Sequence, residues 1–137
     1  TLLSTNLVSV FRCTKAAAPA LKAANGAVVS TASIAGLGNV GSSLAYAASK
    51  AGVVNLTKDL ARALAPEVRV NAIAPGAVDS TWQVQWTNEQ RSSSIDKALL
   101  KRRCQPSDLA DAILFLGFAA KMVTGQTLAV DGGLMLG

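Results

Sequence analysis

Three short apolar runs, GAVVSTAS (26–33), VRVNAIAPGAV (68–78) and TLAVDGG (127–133), punctuate the chain. The segments between them are long enough for helices. Runs this short, rich in β-branched residues and bounded by glycine or proline, read as buried strands. Strands alternating with helices of ten or more residues lead to βαβ units and a parallel sheet, with ligands held beyond the carboxyl ends of the strands.

The connecting segments carry helical signals. Leu3, Leu7, Val10, Phe11 and Thr14 recur near helical spacing before Asn25-Gly26, so a helix is predicted over residues 2–23, with a bend at Pro19. Asn39 and glycines 36, 38 and 41 make the loop after the first strand irregular. Ser42 or Ser43 caps a second helix with an apolar stripe of Val53, Leu56, Leu60 and Leu64, followed by Pro66. A third, SDLADAILFLGF, is expected to take its cap from Ser107. Residues 79–104 show no pattern and are too long for an ordinary connection, which marks a lid or binding loop. Trp82 and Trp86 fall there at i, i+4 spacing and suit either that loop's own core or an apolar substrate pocket.

What is missing narrows the chemistry. Among 137 residues there is no histidine, so neither a Ser-His-Asp triad, a Cys-His dyad nor a histidine metal site can be assembled, and no metal is expected. Cys13 and Cys104 form no C-x-x-C pair and read as reduced structural thiols. No apolar run approaches the roughly 18 residues of a membrane span and no secretory leader pattern opens the chain, so a cytoplasmic protein without a membrane partner is expected. Formal charge is +5, with one basic cluster, KALLKRR (97–103), read as a solvated helix face; it lacks the interleaved aromatics of a nucleic-acid surface, and no nucleic-acid partner is expected.

The one tyrosine, Tyr46, stands four residues before Lys50, on the same face of the second helix. An ammonium beside a phenol favours the phenolate and suits the ring to acid-base work; a partly buried tyrosine beside a lysine lying along the surface is the structural alternative. Ser33 ends the first strand and Pro75-Gly76 ends the second, both on the side where ligands of such sheets bind.

These segments together resemble the short-chain dehydrogenases/reductases. TNLVSVF, GAVVSTASIAG, Tyr46-x-x-x-Lys50 within AYAASKAGV, VRVNAIAPGAV and TGQTLAVDGG follow the family's order and nearly its spacing over the whole chain. The resemblance implies the catalytic half of a Rossmann-type doubly wound parallel sheet, an NAD or NADP cofactor, and hydride transfer between nicotinamide and a ketone or secondary alcohol, as in 3-oxoacyl or similar carbonyl reductases. It implies that Tyr46 gives or takes the proton of the substrate oxygen and that Ser33 hydrogen-bonds that oxygen. Lys50 would serve both the phenol and the nicotinamide ribose, and Asn6 would hold a water leading from Lys50 to solvent. Pro75, Gly76, the backbone of Val78, and Ser80 with Thr81 beside it would contact the cofactor.

The resemblance also implies a half that these 137 residues do not contain. Family members are about twice as long, and the glycine-rich turn for the pyrophosphate precedes the region matched here. Glycines 36, 38 and 41 belong to the loop after Ser33 and are not that turn. Residues 1–137 are therefore expected to be the catalytic half of one domain, inactive alone, with an open edge on the first strand. Small residues Ala45, Ala48, Ala51 and Gly52 on the second helix suit close approach of a helix, and the family pairs this helix across a two-fold axis, implying a homodimer or homotetramer acting on a small-molecule carbonyl or alcohol. The rival expectation is a truncated, catalytically silent chain serving only as an oligomerisation scaffold.

Overall fold

A computed structural model describes residues 1–38, 42–81 and 85–137; Asn39, Gly41 and Trp82, named above, lie outside the described residues. Three strands, β1 (Ala27–Thr31), β2 (Arg69–Pro75) and β3 (Thr127–Val130), form a parallel sheet in the order β1-β2-β3. The register pairs Ala27 with Arg69 and Ala72 with Thr127. The central strand β2 is buried from Val70 to Pro75, as a strand covered on both faces must be. Its residues alternate between two cores. Val70, Ala72 and Ala74 face one helical layer, while Ile73 packs with Leu116 and Ala120 on the other.

The first layer holds α1 (Ser9–Ala24) and α2 (Leu44–Leu64). A π turn at Ser4–Val8 leads into α1, which continues through Pro19 and stops where Asn25 turns left-handed (φ 48°), with the Gly26 amide donating to the Leu21 carbonyl. That is the αL termination the Asn-Gly pair predicts. Ser43 caps α2, accepting from the Tyr46 amide at 3.2 Å. Val53, Thr57, Leu60 and Leu64 form the buried stripe of α2 against the sheet.

The opposite layer is α4 (Pro106–Leu114), extended by a π turn at Phe115–Ala119. The Arg69 guanidinium donates to the carbonyls of Leu116, Gly117 and Ala120 at 2.7–2.8 Å, placing a cation on the negative end of that helix. Asn71, fully buried, donates to the Val123 carbonyl at 2.8 Å and accepts from the Gln126 amide at 3.0 Å, which sets where β3 begins.

Three expectations are corrected. The segment read as patternless contains α3 (Asn88–Lys97), started by a reciprocal capping box between Thr87 and Gln90. Its composition, NEQRSSSIDK, has almost no apolar stripe to announce a helix, and the cap supplies the start signal instead. Second, Ser107 does not cap α4. Gln105 occupies that position, with Pro106 opening the helix and the Asp108 carboxylate accepting from the Gln105 amide at 2.7 Å. Third, residues 97–103 are not one solvated face: α3 ends at Lys97, Arg102 pairs with Asp108, and Arg103 is buried.

Candidate active site

The carboxyl ends of β1 and β2 open into a cleft of about 370 Å³, walled on one side by α2 and on the other by the start of α4. Ser33, Tyr46 and Lys50 line it together with Pro75, Gly76 and Val78; Ser80 completes the rim. Seven of the eight residues singled out from the sequence thus meet in one place, although they span positions 33 to 80. Asn6 does not line it.

Ser33 arrives there because β1 ends at Thr31 and the chain turns at once into a 3-10 turn, Ile34–Gly36, which Ser33 caps by accepting from the Ala35 amide at 3.1 Å. Accepting that bond leaves the hydroxyl proton and a second lone pair for another oxygen. The turn sits directly on α2. A β-carbon at Gly36 would lie 2.5 Å from the Lys50 carbonyl carbon and 2.7 Å from the Ala51 nitrogen. Glycine at 36 is what lets the Ser33 turn approach the Lys50 backbone.

Lys50 is half-buried. Its amine donates to the Thr31 carbonyl at 2.8 Å and lies 5.7 Å from the centre of the Tyr46 ring. Loss of hydration in this site pushes the Lys50 pKa below the usual lysine value. Of its three N–H donors, one is committed to Thr31, and the others remain to serve the cleft.

Asn6 occupies the π turn that precedes α1, where backbone irregularity often accompanies function. Its Nδ2 donates to Ser49 Oγ at 3.2 Å, and Ser49 Oγ donates to the Tyr46 carbonyl at 2.7 Å. Asn6 is therefore connected to the backbone of the Tyr46–Lys50 turn through Ser49. At the end of β2, a β-carbon on Gly76 would fall 2.7 Å from the Asp131 β-carbon, so the glycine is required by β3 packing against it.

Several participants escaped the sequence reading. Thr31 contributes only a carbonyl, which no side-chain pattern reveals. Ser49 lies between Tyr46 and Lys50, and a single serine inside a helix carries no spacing signal of its own. Pro106 and Leu109 supply the apolar wall opposite α2, and Val78 is held by a parallel bridge to Cys104. Cys104, Pro106 and Leu109 come from the segment after residue 100, whose approach to β2 is a property of the fold. Trp86, 37% exposed, does not line the cleft.

This is a parallel α/β sheet that gathers a serine, a tyrosine and a lysine at its carboxyl edge. A family model described as enoyl-(acyl carrier protein) reductase matches residues 1–135. The chain is 42% identical over 130 residues to the short-chain dehydrogenase/reductase homolog YusR of Bacillus subtilis, covering 93% of this chain and 98% of that protein. It is 37% identical to the 3-oxoacyl-[acyl-carrier-protein] reductase FabG of Thermotoga maritima, covering 98% of this chain and 56% of that one. Among solved structures, a short-chain dehydrogenase/reductase from Burkholderia xenovorans matches with TM-score 0.88 and 41% identity, over 98% of this chain and 54% of that one. A 3-oxoacyl-[acyl-carrier protein] reductase from Brucella melitensis with bound NAD matches with TM-score 0.85 and 34% identity, over 94% and 48%. A gluconate 5-dehydrogenase from Burkholderia cenocepacia in complex with NADP and tartrate matches with TM-score 0.89 and 28% identity, over 96% and 54%.

The chain belongs to the short-chain dehydrogenase/reductase family. It spans about half the length of the FabG reductases it matches, and nearly all of YusR.

Proposed function

We propose that this chain is the catalytic half of an NAD(P)-dependent oxidoreductase acting on a ketone or secondary alcohol, of the 3-oxoacyl or similar carbonyl-reductase type. The observation that carries the reading is the convergence of Ser33, Tyr46 and Lys50 with the Pro75–Ser80 segment on one cleft. The residues present fit the nicotinamide end of such a cofactor. Lys50 offers unspent donors to ribose hydroxyls, and Val78 and Ser80 line the cleft beside them. Sites for the pyrophosphate and adenosine belong, in this reading, to a preceding half that pairs with the free edge of β1.

When bound, the dinucleotide supplies or accepts the hydride. The chain's own residues do the rest. Ser33 donates its hydroxyl proton to the substrate oxygen and fixes its position. Tyr46 Oη gives that oxygen a proton during reduction and takes it back during oxidation. Lys50 orients the ribose while its charge, made stronger in effect by partial burial, faces the phenol ring. Asn6 and Ser49 hold the Tyr46–Lys50 turn from behind, where a water on Asn6 would lead protons outward. Pro106 and Leu109 exclude water from the reacting atoms.

A second copy of the chain is the expected partner, because Ala45, Ala48 and Ala51 present small side chains outward along α2 and Phe11 stands 45% exposed on α1. Among the described residues no helix is long and apolar enough to cross a membrane, and the free thiols of Cys13 and Cys104 suit a cytoplasmic setting.

Protein purified from its source, weighed intact and assayed for NADH and NADPH oxidation against a panel of 3-oxoacyl thioesters and simple ketones, tests this reading. Turnover of one class supports it. Absence of turnover and of dinucleotide binding, with a stable oligomer, would leave the silent scaffold in its place.

A further inference from the structure

Arg103 is 4% exposed, with its side chain held between the segment after β2 and the indole of Trp86. Its Nη2 donates to the Val78 carbonyl at 2.9 Å, and its Nε stands 2.9 Å from Asp79 Oδ1. The guanidinium carbon lies 5.0 Å from the centre of the Trp86 ring. Beside it the backbones interlock: the Asp79 amide donates to the Cys104 carbonyl at 2.8 Å and the Cys104 amide to the Ala77 carbonyl at 2.9 Å. One side chain therefore holds the Val78 carbonyl, the Asp79 carboxylate and the Trp86 ring of the segment leading to α3.

Burying a guanidinium is costly, and here it is incompletely compensated, since Nε and Nη1 are both buried without a hydrogen-bond partner and Nε meets Asp79 only as an ion pair. An apolar side chain would fill this space with less desolvation penalty. What the guanidinium provides and an apolar side chain does not is a hydrogen bond that fixes the Val78 carbonyl together with a charge that holds the Asp79 carboxylate beside it. These residues adjoin the stretch, Val78 to Ser80, that borders the cleft.

We propose that Arg103 is a positioning residue for cofactor binding. It preforms the Val78–Ser80 wall, so that the backbone facing the nicotinamide is already in place when the dinucleotide arrives. Preorganisation of this kind raises affinity by removing an ordering cost from the binding step. The inference rests on the cofactor reading given under Proposed function.

Arg103→Met and Arg103→Lys in the protein purified from its source provide the test, read with NADH, NADPH and ADP-ribose as probes and with amide hydrogen exchange over residues 77–81. ADP-ribose lacks the nicotinamide and samples only the remote part of the site. The methionine variant is expected to bind the preferred dinucleotide about tenfold more weakly, to keep ADP-ribose affinity within about twofold, and to exchange faster at Asp79. Its KM for the dinucleotide should rise by more than its kcat falls. The lysine variant should lie nearer to methionine than to wild type, because one ammonium cannot bond the Val78 carbonyl, pair with Asp79 and stack on Trp86 together; it carries the same comparison if the methionine variant does not fold. Unchanged dinucleotide affinity and unchanged exchange would overturn the role of Arg103 alone. Equal losses for ADP-ribose and dinucleotide would also overturn it, as the mark of general destabilisation. A wild-type protein that binds no dinucleotide would overturn the cofactor reading, and this inference with it.

Discussion

The amine of Lys50 donates to the carbonyl oxygen of Thr31 at 2.8 Å, tying α2 to the last residue of β1 across nineteen positions of sequence. Lysine side chains lose much freedom when held this way, and a carbonyl at a strand end is a fixed anchor. The ammonium therefore approaches the Tyr46 ring from a set direction, and the geometry of the pair depends on the sheet as much as on helical spacing.

Tyr46→Phe tests the chemistry most directly. In the full protein it should lower turnover by about a hundredfold or more while dinucleotide affinity and the unfolding midpoint stay near wild type, since it deletes one hydroxyl from a half-buried ring. Retention of more than about a tenth of wild-type turnover in steady-state assays would remove Tyr46 from the acid-base role.

Lys50→Met should weaken dinucleotide binding and slow turnover together, because in the proposed reading the same amine would serve the ribose and the phenol. It should also change stability at high pH. Burial lowers the Lys50 pKa in the fold, so between that value and the unfolded 10.5 the unfolded chain binds more protons. Stability contributed by this site rises with pH through that window and the gain is complete above 10.5. Urea titrations from pH 8 to 11 should show that rise in wild type and lose it in the methionine variant.

Gly36→Ala probes the contact between the Ser33 turn and α2. The added carbon meets backbone atoms at 2.5–2.7 Å, and backbone yields less readily than a side-chain tip. A loss of about 1–3 kcal/mol in unfolding free energy is expected from overpacking. Activity should fall further than stability explains, because relief of the clash moves Ser33 away from Tyr46. An alanine variant with wild-type stability would show that this turn is free to shift.

Asp108 accepts both forks of Arg102, at 2.6 and 3.0 Å, and the Gln105 amide that begins α4. These hydrogen bonds, the Arg102 side chain first, lower its pKa from 3.8 to about 2. Its stabilising contribution is present above 3.8 and is lost as pH falls through about 2. Asp108→Asn should flatten that part of the acid unfolding curve followed by circular dichroism; an unchanged curve would assign acid unfolding to other carboxylates.

Side chains that announce themselves by type and spacing were legible in the sequence. Tyr46 and Lys50 share a helix face, Ser33 and Pro75-Gly76 lie at or just past strand ends, and parallel topology brings those ends together. Less legible was whatever depends on backbone groups or on distant segments: the Thr31 carbonyl, the Asn6–Ser49 link, and the Val78–Cys104 bridge. Helix α3 was hidden for another reason. Its surface is polar nearly all round, so periodicity had nothing to register, and only the Thr87–Gln90 cap marked its start. Arg103 misled for the opposite reason, since a run of basic residues reads as solvated unless the fold supplies an acidic partner and an aromatic face, as Asp79 and Trp86 do.

The 137 residues alone, prepared as a soluble and monodisperse sample, should not bind NADH or NADPH at micromolar concentration, although the residues proposed for the chemistry are all within them. In this reading the contacts available are those at the nicotinamide end: Lys50, the Val78–Ser80 wall and the Pro75-Gly76 corner. Remote contacts to the adenosine and pyrophosphate contribute binding free energy that is used to position the reacting ring, and positioning accounts for much of the acceleration in transfers of this kind. β1 meets only β2 among the described residues, so the edge on which those contacts would be built is open. Titration calorimetry decides the matter. Micromolar affinity would mean that a dinucleotide site is completed within this chain or between two copies of it, and the reading of residues 1–137 as a half that depends on a partner segment would be wrong.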